Sequence, residues 1–411
     1  MSQSAAAVDQ QYYIQLEEKH GAHNYHPLPV VLERGKGVHV WDTDGKPYYD
    51  FLSGYSAVNQ GHCHPALVEA IQEQASTLTL TSRAFHSNLL GVYEAYITQY
   101  FGYDKVLPMN TGVEAVETAI KLARKWAYQV KKIVPGQARV VVCDANFHGR
   151  TMGVISFSTD PTAKNEFGPF LEGFDVVPYN NLPALEKALQ SENVAAFLFE
   201  PIQGEAGVVV PDEGYYQGIR ALCNKYNVLM VADEIQTGLC RTGKLLAVDH
   251  EFVKPDILIL GKALSGGMLP VSAVLANDEI MMTIKPGEHG STYGGNPLAC
   301  KVAMAALHVL QQEHMADNAA RMGERFRQGL TALQSPYIET VRGKGLLNAI
   351  VIKHSDSEAA WKLCMEMMKN GLLAKPTHGD KIRFAPPLII NEKQIDEAIQ
   401  IISKSLEVLN N

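Results

Sequence analysis

The chain has 411 residues, of which 46% are hydrophobic and 19% are charged, and its formal net charge is −8 at pH 7. This length can hold two domains with a large core, and the acidic balance without a long basic run argues against a nucleic-acid-binding protein. No apolar stretch approaches the ~20 residues that spanning a bilayer needs. We therefore expect neither nucleic acid nor a membrane as partner.

The cysteines and the first residues bear on the compartment. The six cysteines are scattered and include no C-x-x-C pair, which predicts reduced thiols and an intracellular address. The first residues, MSQSAAAVDQQYY, lack the apolar core of a secretory signal and the arginines of a transit peptide. The predicted location is the cytoplasm, and a processed form in the mitochondrial matrix is the alternative.

The first 50 residues are predicted to form an arm and a small hairpin. Val38–Trp41 and Pro47–Phe51 have the composition of strands, and Asp44-Gly45 between them is a turn signal. The two prolines of the preceding segment, GAHNYHPLPV, exclude a helix there. A tyrosine in such a loop, here Tyr25, is more often a packing residue than a ligand contact.

A histidine-rich stretch, His62-Cys63-His64, invites interpretation as a metal site. Adjacent residues on an extended chain point in opposite directions, so they make a poor common set of ligands. No fourth ligand lies at a suitable spacing. We predict no metal here.

The next predicted strand, Lys105–Met109, leads into a helix that starts near Thr111. Thr111 is the predicted N-cap and Glu114 occupies the capping-box position. Gly112 would let a ligand approach the backbone, and the first turn of a helix presents free N–H groups suited to a phosphate. A plain helix start is the alternative. Without a P-loop or a G-x-G-x-x-G motif, nucleotide binding has little support.

Two candidate binding residues follow the predicted strand Arg139–Cys143. The aromatic face of Phe147 could stack on a flat heteroaromatic ring. Arg150 could hold a carboxylate with two parallel hydrogen bonds, which a lysine could not. Spacing alone is equally compatible with a surface salt bridge for Arg150.

Three further apolar runs are predicted to be buried parallel strands because they are short and end in charge or glycine. They are Ala195–Phe199 before Glu200, Val228–Ala232 before Asp233, and Ile257–Leu260 before Gly261-Lys262. Ligands of open α/β sheets bind outside the carboxyl ends of the strands. We therefore expect Glu200, Asp233 and Lys262 to line one crevice.

A carboxylate and an amine in that crevice suit one kind of chemistry. A buried lysine loses hydration, which favours its neutral, nucleophilic form, and such lysines form Schiff bases with carbonyl compounds and with pyridoxal phosphate. An anion such as Asp233 would keep a pyridine nitrogen protonated, so that the ring withdraws electrons. An ordinary ion pair between Asp233 and Lys262 is the alternative.

The rest of the chain contains a glycine-rich loop and a second α/β region. Gly287–Pro297 includes Ser291 and Thr292, and its composition alone suggests a flexible connection. Helical periodicity then leads into strands and helices that we place as follows: helices Ala303–Gln312, Met315–Leu333, Ala359–Met368 and Glu392–Leu409, and strands Leu346–Ile352 and Lys381–Phe384. The predicted organisation is an arm (1–50), a large domain (51–305) and a small domain (306–411).

Several motifs together resemble one family. ADEIQTG followed by LGKALSGG closely resembles the class III (subgroup II) aminotransferases, which are pyridoxal-phosphate enzymes of fold type I. Similar segments are NYHPLPV, SAVNQGHCHP, NTGVEA, EPIQGEAGVVVP, IKPGEHGSTYGGNP, VRGKGLLNAI and NGLLAKPTHGDKIRFAPPL. The resemblance implies a large α/β domain with a mostly parallel central sheet flanked by helices. It also implies a smaller C-terminal α/β domain and an N-terminal arm.

The resemblance implies that pyridoxal 5′-phosphate is the cofactor, and it assigns the residues around it. Lys262 would hold the cofactor as a Schiff base and act as the general base, while Asp233 would bond the ring nitrogen and Gln236 the phenolic oxygen. Phe147 and Glu200 belong to the same cofactor site. The backbone N–H groups of Gly112 and Val113 would bind the phosphate. Ser291 and Thr292 also belong to the cofactor site, and their loop would reach across the interface of a homodimer so that Thr292 bonds the phosphate of the other subunit.

The segment NYHPLPV, which contains Tyr25, and the segment NGLLAKPTHGDKIRFAPPL resemble the ornithine-specific branch of the class. That branch moves the δ-amino group of L-ornithine to 2-oxoglutarate, giving glutamate 5-semialdehyde and glutamate. By resemblance, Tyr25 and Tyr55 select ornithine and Arg150 binds its α-carboxylate. Glu205 and Arg383 would pair while ornithine is bound and separate so that Arg383 can take the carboxylate of glutamate.

Three alternatives stay open. Another ω-aminotransferase, acting on N-acetylornithine or 4-aminobutyrate, would differ in an amine screen, and Tyr25 and Tyr55 argue against it. An isomerase using the same cofactor would not require an added 2-oxo acid. A non-catalytic cofactor-binding protein would show no absorbance change with ornithine.

Overall fold

The computed structural model describes residues 9–410. In chain order, the strands of this part are β1 (Leu32–Lys36), β2 (His39–Asp42), β3 (Pro47–Asp50), β4 (Lys105–Met109), β5 (Arg139–Cys143), β6 (Phe174–Val177), β7 (Val194–Phe199), β8 (Leu229–Asp233), β9 (Ile257–Leu260), β10 (Ser272–Ala276), β11 (Ile338–Lys344), β12 (Leu347–Ile352), β13 (Leu372–Leu373), β14 (Lys375–Thr377) and β15 (Lys381–Phe384).

The α-helices of the same part are α1 (Gln10–His20), α2 (Ser53–Ser56), α3 (Pro65–Ala75), α4 (Leu90–Phe101), α5 (Gly112–Gln129), α6 (Met152–Ile155), α7 (Pro161–Lys164), α8 (Leu182–Leu189), α9 (Tyr215–Tyr226), α10 (Asp278–Met281), α11 (Pro297–Gln312), α12 (Met315–Ala332), α13 (Ala359–Lys369) and α14 (Glu392–Ser405). Short 3₁₀ turns lie at Ala247–Glu251, Lys262–Ser265 and Leu406–Asn410. None of the helices in residues 9–410 is long and apolar enough to cross a bilayer.

The central sheet has the strand order β4-β10-β9-β8-β7-β5-β6. Its strands run parallel except β10, which lies antiparallel between β4 and β9. The predicted mostly parallel sheet is therefore confirmed. Because β7, β8 and β9 are parallel neighbours, the residues that follow them meet at one edge of the sheet.

Both faces of this sheet are covered, which explains why its strands are continuous apolar runs. Alternate residues such as Val231 and Ile259 pack with the long helix α5, whereas Met230 and Leu258 belong to the core on the opposite face. α5 begins with a capping box at Thr111 and buries one side along its length.

Two smaller sheets lie beside the central one. The order β1-β2-β3-β13 joins the N-terminal hairpin to a short C-terminal strand, since Leu372 and Leu373 pair in parallel with Tyr49 and Asp50. The other sheet, β11-β12-β15-β14, is antiparallel and carries Arg383 on β15, opposite Ala349 of β12.

Most predicted elements are confirmed with small shifts of their ends. β4, β5, β9 and β15 match their predicted bounds. The prediction Val228–Ala232 was wrong by one residue, because β8 includes Asp233 and begins at Leu229. The observed bounds of seven other elements differ from the predicted bounds by one to six residues, namely β2, β3, β7, β12, α11, α12 and α13. The predicted helix Glu392–Leu409 is α14 followed by a 3₁₀ turn.

Many elements were absent from the prediction, among them β6, β10, α3, α4 and α9, and two of the absent elements lie in the predicted arm. β1 pairs with β2, and α1 precedes the proline-rich segment. Residues 1–8 of the predicted arm lie outside the described residues. The boundary predicted between residues 305 and 306 lies inside α11, so a division at that point would interrupt a helix. The division into an arm and two domains stays a prediction.

Candidate functional site

Asp233 and Lys262 come from adjacent strands at the carboxyl edge of the central sheet. Asp233 is the last residue of β8, and Lys262 follows β9 after one glycine. In the parallel pairing of these strands, Asp233 lies opposite Ile259. Glu200 follows the next strand, β7. The crevice predicted from the ends of these runs is therefore present.

A cavity of about 260 Å³ lies at this edge. It brings together residues from five separate stretches of the chain, namely Gly112, Val113, Phe147, His148, Gly149, Glu200, Ile202, Glu205, Asp233, Ile235, Gln236, Thr237 and Lys262. Eight of the predicted site residues are in this set. The cavity combines an amine, carboxylates, an aromatic ring and the start of a helix.

Lys262 has two unusual properties. Its backbone has φ +43°, a left-handed conformation that costs a non-glycine residue on the order of 1–3 kcal/mol and is maintained by the surrounding structure. Burial lowers the pKa of its amine to about 8, although the charge of Glu205 opposes this shift. A usable fraction of Lys262 is therefore the neutral nucleophile near neutral pH.

Asp233 is held by two hydrogen bonds. His148 Nδ1 donates to Asp233 Oδ2 over 2.6 Å, and the N–H of Ile235 donates to Oδ1 over 3.1 Å. Burial favours neutral His148, but the hydrogen bond and charge of Asp233 outweigh it and raise the pKa of His148. The two hydrogen bonds fix the orientation of the Asp233 carboxylate beside the cavity, where it can face a ring nitrogen.

Glu200 acts on the segment that carries Phe147. Its Oε1 accepts a hydrogen bond from the N–H of Phe147 over 2.8 Å. Burial raises the pKa of Glu200 to about 7. Glu200 lines the cavity, and in this structure its contact is with the protein backbone.

The start of α5 supplies backbone donors to the cavity. Glu114 accepts hydrogen bonds from the N–H groups of Asn110 and Thr111, which completes the capping box predicted from the sequence. The N–H groups of Gly112 and Val113 belong to the first turn, where no intrahelical acceptor exists. A Cβ on Gly112 would come within 3.0 Å of Ile235 Cδ1, so a larger residue there would have to displace the Ile235 side chain.

Glu205 and Arg383 form an ion pair beside the cavity. Arg383 Nη1 lies 2.6 Å from Glu205 Oε1, and Gln236 lies within 3.4 Å of both partners. Burial would raise the pKa of Glu205, but the charge of Arg383 outweighs burial and lowers it. The Arg383 guanidinium also lies over the ring of Tyr55, 5.1 Å from its centroid. The positive charge of the buried Arg383 and the negative charge of the half-buried Glu205 therefore neutralise each other.

Arg150 lines a second cavity of about 420 Å³ that shares Phe147, His148, Gly149 and Glu205 with the first. Its guanidinium lies 5.1 Å from the Phe147 ring centroid and 4.0 Å from Asp160. The side chain is 59% exposed, so it is accessible to a ligand.

Three predicted residues lie away from both cavities. Tyr25 is 71% exposed, and its ring faces Lys375 at 5.9 Å. Ser291 Oγ accepts from Asn110 Nδ2 over 2.7 Å, just before α5, while Thr292 is exposed. Within a single chain, these residues do not contact the space beside Lys262.

The sequence reasoning missed His148 as the partner of Asp233. The two residues are 85 positions apart, and they meet because His148 follows β5 and Asp233 ends β8, two strands of one sheet with only β7 between them. It also missed Asp160 and His378, which line the cavity around Arg150. The sequence signal for a role of His148 was its position two residues before Arg150, a candidate carboxylate-binding residue.

Comparisons with known proteins agree with this geometry. The family model "Aminotransferase class-III" matches residues 20–406. The mitochondrial ornithine aminotransferase of Rattus norvegicus is 62% identical over 396 residues, covering 96% of this chain and 90% of the rat protein.

Solved structures give the same result. The ornithine aminotransferase of Toxoplasma gondii superposes with a TM-score of 0.96 at 48% identity, covering 98% of this chain and 96% of that one. The acetylornithine aminotransferase of Elizabethkingia anophelis has a TM-score of 0.89 at 58% identity, with coverage of 97% and 99%. Since the family match spans nearly the whole chain and includes the strand ends that carry Asp233 and Lys262, the chain belongs to the class III aminotransferases.

Proposed function

We propose that this chain transfers the δ-amino group of L-ornithine to 2-oxoglutarate, giving L-glutamate 5-semialdehyde and L-glutamate. The observation that carries the proposal is the Glu205–Arg383 ion pair beside Lys262, with Tyr55 on the guanidinium. A site for ornithine needs no free arginine next to the reacting carbon, whereas a site for glutamate does. A reversible pair meets both needs.

The residues present fit pyridoxal 5′-phosphate, the cofactor of this family. The N–H groups of Gly112 and Val113 are free for a phosphate, and Phe147 offers an aromatic face. Asp233, oriented by its hydrogen bond with His148, suits a protonated ring nitrogen. When bound, the cofactor supplies an aldehyde that condenses with amines and a ring that withdraws electrons from the substrate carbon.

Each residue then has a distinct task in the reaction. Lys262 Nζ would hold the cofactor through its aldehyde, and once the substrate amine has taken that place, the neutral Lys262 amine would accept a proton from the δ-carbon of ornithine. Arg150 binds the α-carboxylate of ornithine, and in the second half of the reaction the γ-carboxylate of glutamate. Tyr55, which lies against the Arg383 guanidinium, would border the ornithine side chain, whereas Tyr25 lies away from this space within a single chain and its contact with ornithine stays a prediction. Gln236 would donate a hydrogen bond to the phenolic oxygen of the cofactor.

We expect Glu205→Gln to favour glutamate over ornithine. The amide cannot neutralise Arg383, so the arginine is free for the glutamate carboxylate and is left as an unpaired buried charge when ornithine binds. The ratio of kcat/KM for glutamate to that for ornithine, measured in separate half-reactions, should rise about tenfold or more, corresponding to ~1.4 kcal/mol.

The matched control for this prediction is Asp175→Asn. It weakens another arginine–carboxylate pair, Arg139–Asp175, which lies at the far edge of the central sheet. The substrate ratio of Asp175→Asn should equal that of the unaltered protein. An unchanged ratio in Glu205→Gln would contradict the exchange of partners by Arg383.

We also expect the cofactor-free protein to take up pyridoxal phosphate at a rate that depends on Lys262. Because burial lowers the pKa of this amine to about 8, the neutral form increases as pH rises through 8 and saturates above it. The rate constant of reconstitution, followed by absorbance, should therefore rise from pH 6.5 to about 8.5 and then level off. A rate that keeps rising beyond pH 10, as for N-acetyl-lysine in solution, would contradict a lowered pKa.

The experiment that tests the function is a half-reaction of the holoenzyme with ornithine alone, with the semialdehyde trapped. The Elizabethkingia neighbour, named for acetylornithine, makes N-acetylornithine the second candidate substrate. A parallel screen with ornithine, N-acetylornithine and 4-aminobutyrate should give the largest kcat/KM with ornithine. A larger value with either competitor would overturn the proposal.

We propose that the active unit is a homodimer with shared sites. The exposed Thr292 and Tyr293 belong to a loop that runs beside the start of α5, which supports a role for this loop at a partner subunit's phosphate. Sedimentation equilibrium should give twice the chain mass or a multiple of it. A monomer that retains full activity would exclude shared sites.

For the location, composition supports the cytoplasm, and the name of the rat relative supports the alternative of the mitochondrial matrix. Microscopy of the tagged full chain in its native cell distinguishes the two: a diffuse signal is expected for the cytoplasm. A signal confined to mitochondria would establish the alternative.

A further inference from the structure

The segment that carries Tyr55 has an unusual backbone. Four consecutive residues, Ser53, Gly54, Tyr55 and Ser56, all have positive φ, between 48° and 70°. Three of them have side chains, for which the left-handed conformation is unfavourable. Such a turn persists only when contacts outside it fix its two ends.

Contacts with the C-terminal region fix both ends of this turn. Before it, the N–H of Ala385 donates to Phe51 O over 2.7 Å. After it, the N–H of Leu388 donates to Asn59 O over 2.8 Å. The strand end after Arg383 therefore runs alongside the turn that carries Tyr55.

The Arg241 side chain connects the end of the Tyr55 turn, at Asn59, to the segment that follows Arg383, at Pro386. Its guanidinium donates to Asn59 Oδ1 over 2.5 Å, to Pro386 O over 2.6 Å and to Leu346 O over 3.0 Å. Asn59 in turn donates through Nδ2 to Leu239 O over 2.8 Å. One side chain thus joins the end of the Tyr55 turn to the segment that follows Arg383.

Arg241 is 0% exposed, and all of its acceptors are neutral. Among residues 9–410, no carboxylate lies within ion-pair distance of it. Burying a guanidinium without an anion costs free energy of folding, so the several hydrogen bonds that its forked shape allows must offset that cost. A shorter or single-ended donor could not reach three acceptors on separate segments.

We propose that Arg241 is a positioning residue, which ties the left-handed Tyr55 turn to the Arg383 strand end and thereby sets how well the site distinguishes ornithine from glutamate. This proposal rests on the proposed function. Glutamate binds through Arg383 itself, and Arg383 is held in β15 between two neighbouring strands. Ornithine depends on Tyr55 remaining against the closed Glu205–Arg383 pair, so a looser turn affects ornithine more.

The test compares holoenzymes of Arg241→Lys and Asn59→Ala with the unaltered protein. Lysine retains a charge but lacks the forked guanidinium. Asn59→Ala removes the side-chain hydrogen bonds of Asn59 to Arg241 and to Leu239 O but leaves the other two Arg241 contacts, so it serves as the second route if Arg241→Lys does not fold. In single-turnover half-reactions, we expect kcat/KM for ornithine to fall about tenfold more than that for glutamate in both variants. Crystal structures should show the Tyr55 ring farther from the Arg383 guanidinium than 5.1 Å.

Tyr103→Phe is the matched structural control, because it removes a buried side-chain hydrogen bond to Pro255 O, away from the site. It should lower Tm without changing the substrate ratio. If Arg241→Lys and Asn59→Ala behave like this control, with equal losses for both substrates and an unmoved Tyr55, the proposal is overturned. If the unaltered protein does not react with ornithine, the proposed function fails instead, and the Tyr55–Arg383 separation alone still tests the connection.

Discussion

Replacing Lys262 by alanine should lower kcat of the ornithine half-reaction by about 10⁴-fold, which is the upper range for loss of a general base. The variant loses both the amine that binds the cofactor aldehyde and the group that moves the proton. The cofactor should still bind, because Asp233 and the N–H groups of Gly112 and Val113 remain. Adding a small primary amine should restore part of the rate in proportion to its concentration.

Lys131→Ala is the matched control for this result. Burial lowers the pKa of Lys131 as well, but its amine donates to Val194 O and Tyr226 O at the opposite, amino end of β7. The control should keep the native rate. Turnover of Lys262→Ala at the native rate, or a comparable loss in Lys131→Ala, would contradict the assigned role of Lys262.

Asp233→Asn should lower kcat about 10³-fold, similar to the loss of a key electrostatic contact in other enzymes. Asparagine has nearly the same shape but cannot keep a ring nitrogen protonated, so the ring withdraws fewer electrons. His148 loses its anionic partner at the same time, and its pKa should fall. The rate constant of the half-reaction and the absorbance maximum of the bound cofactor measure the change at the ring.

Glu234, the carboxylate next to Asp233 in the sequence, provides the control for the Asp233→Asn variant. Burial raises the pKa of Glu234 to about 7, so a neutral amide resembles one of its native forms, and its oxygens bond Thr237 and the N–H of Val248 away from the ring position. Glu234→Gln should retain activity within about tenfold. Equal losses in the two variants would show that a buried carboxylate is needed only for structure.

The sequence was sufficient for five of the seven strands of the central sheet and for the positions of their reactive ends, whereas β6 and β10 were not predicted. Buried parallel strands are short apolar runs, and charged residues stand out where those runs stop, as at Asp233 and Lys262. The capping box at Thr111 was equally local, because it depends on two residues three positions apart.

Features without a local pattern were not predictable. α1 has no buried residue, so it lacks the apolar periodicity that identifies a helix. The left-handed turn at Tyr55 contains one glycine among four residues, and the contacts that maintain it come from residues 385–388. Contacts between distant segments also bring His148 to Asp233 and Arg241 to Asn59.

The most direct test of the central claim is to reduce the holoenzyme with borohydride, digest it and map the cofactor by mass spectrometry. The account predicts that the cofactor mass is attached to the peptide containing Lys262 and to that side chain alone. Attachment to a different lysine, or full release of the cofactor after reduction, would contradict the assignment of Lys262 and with it the chemistry proposed for this site.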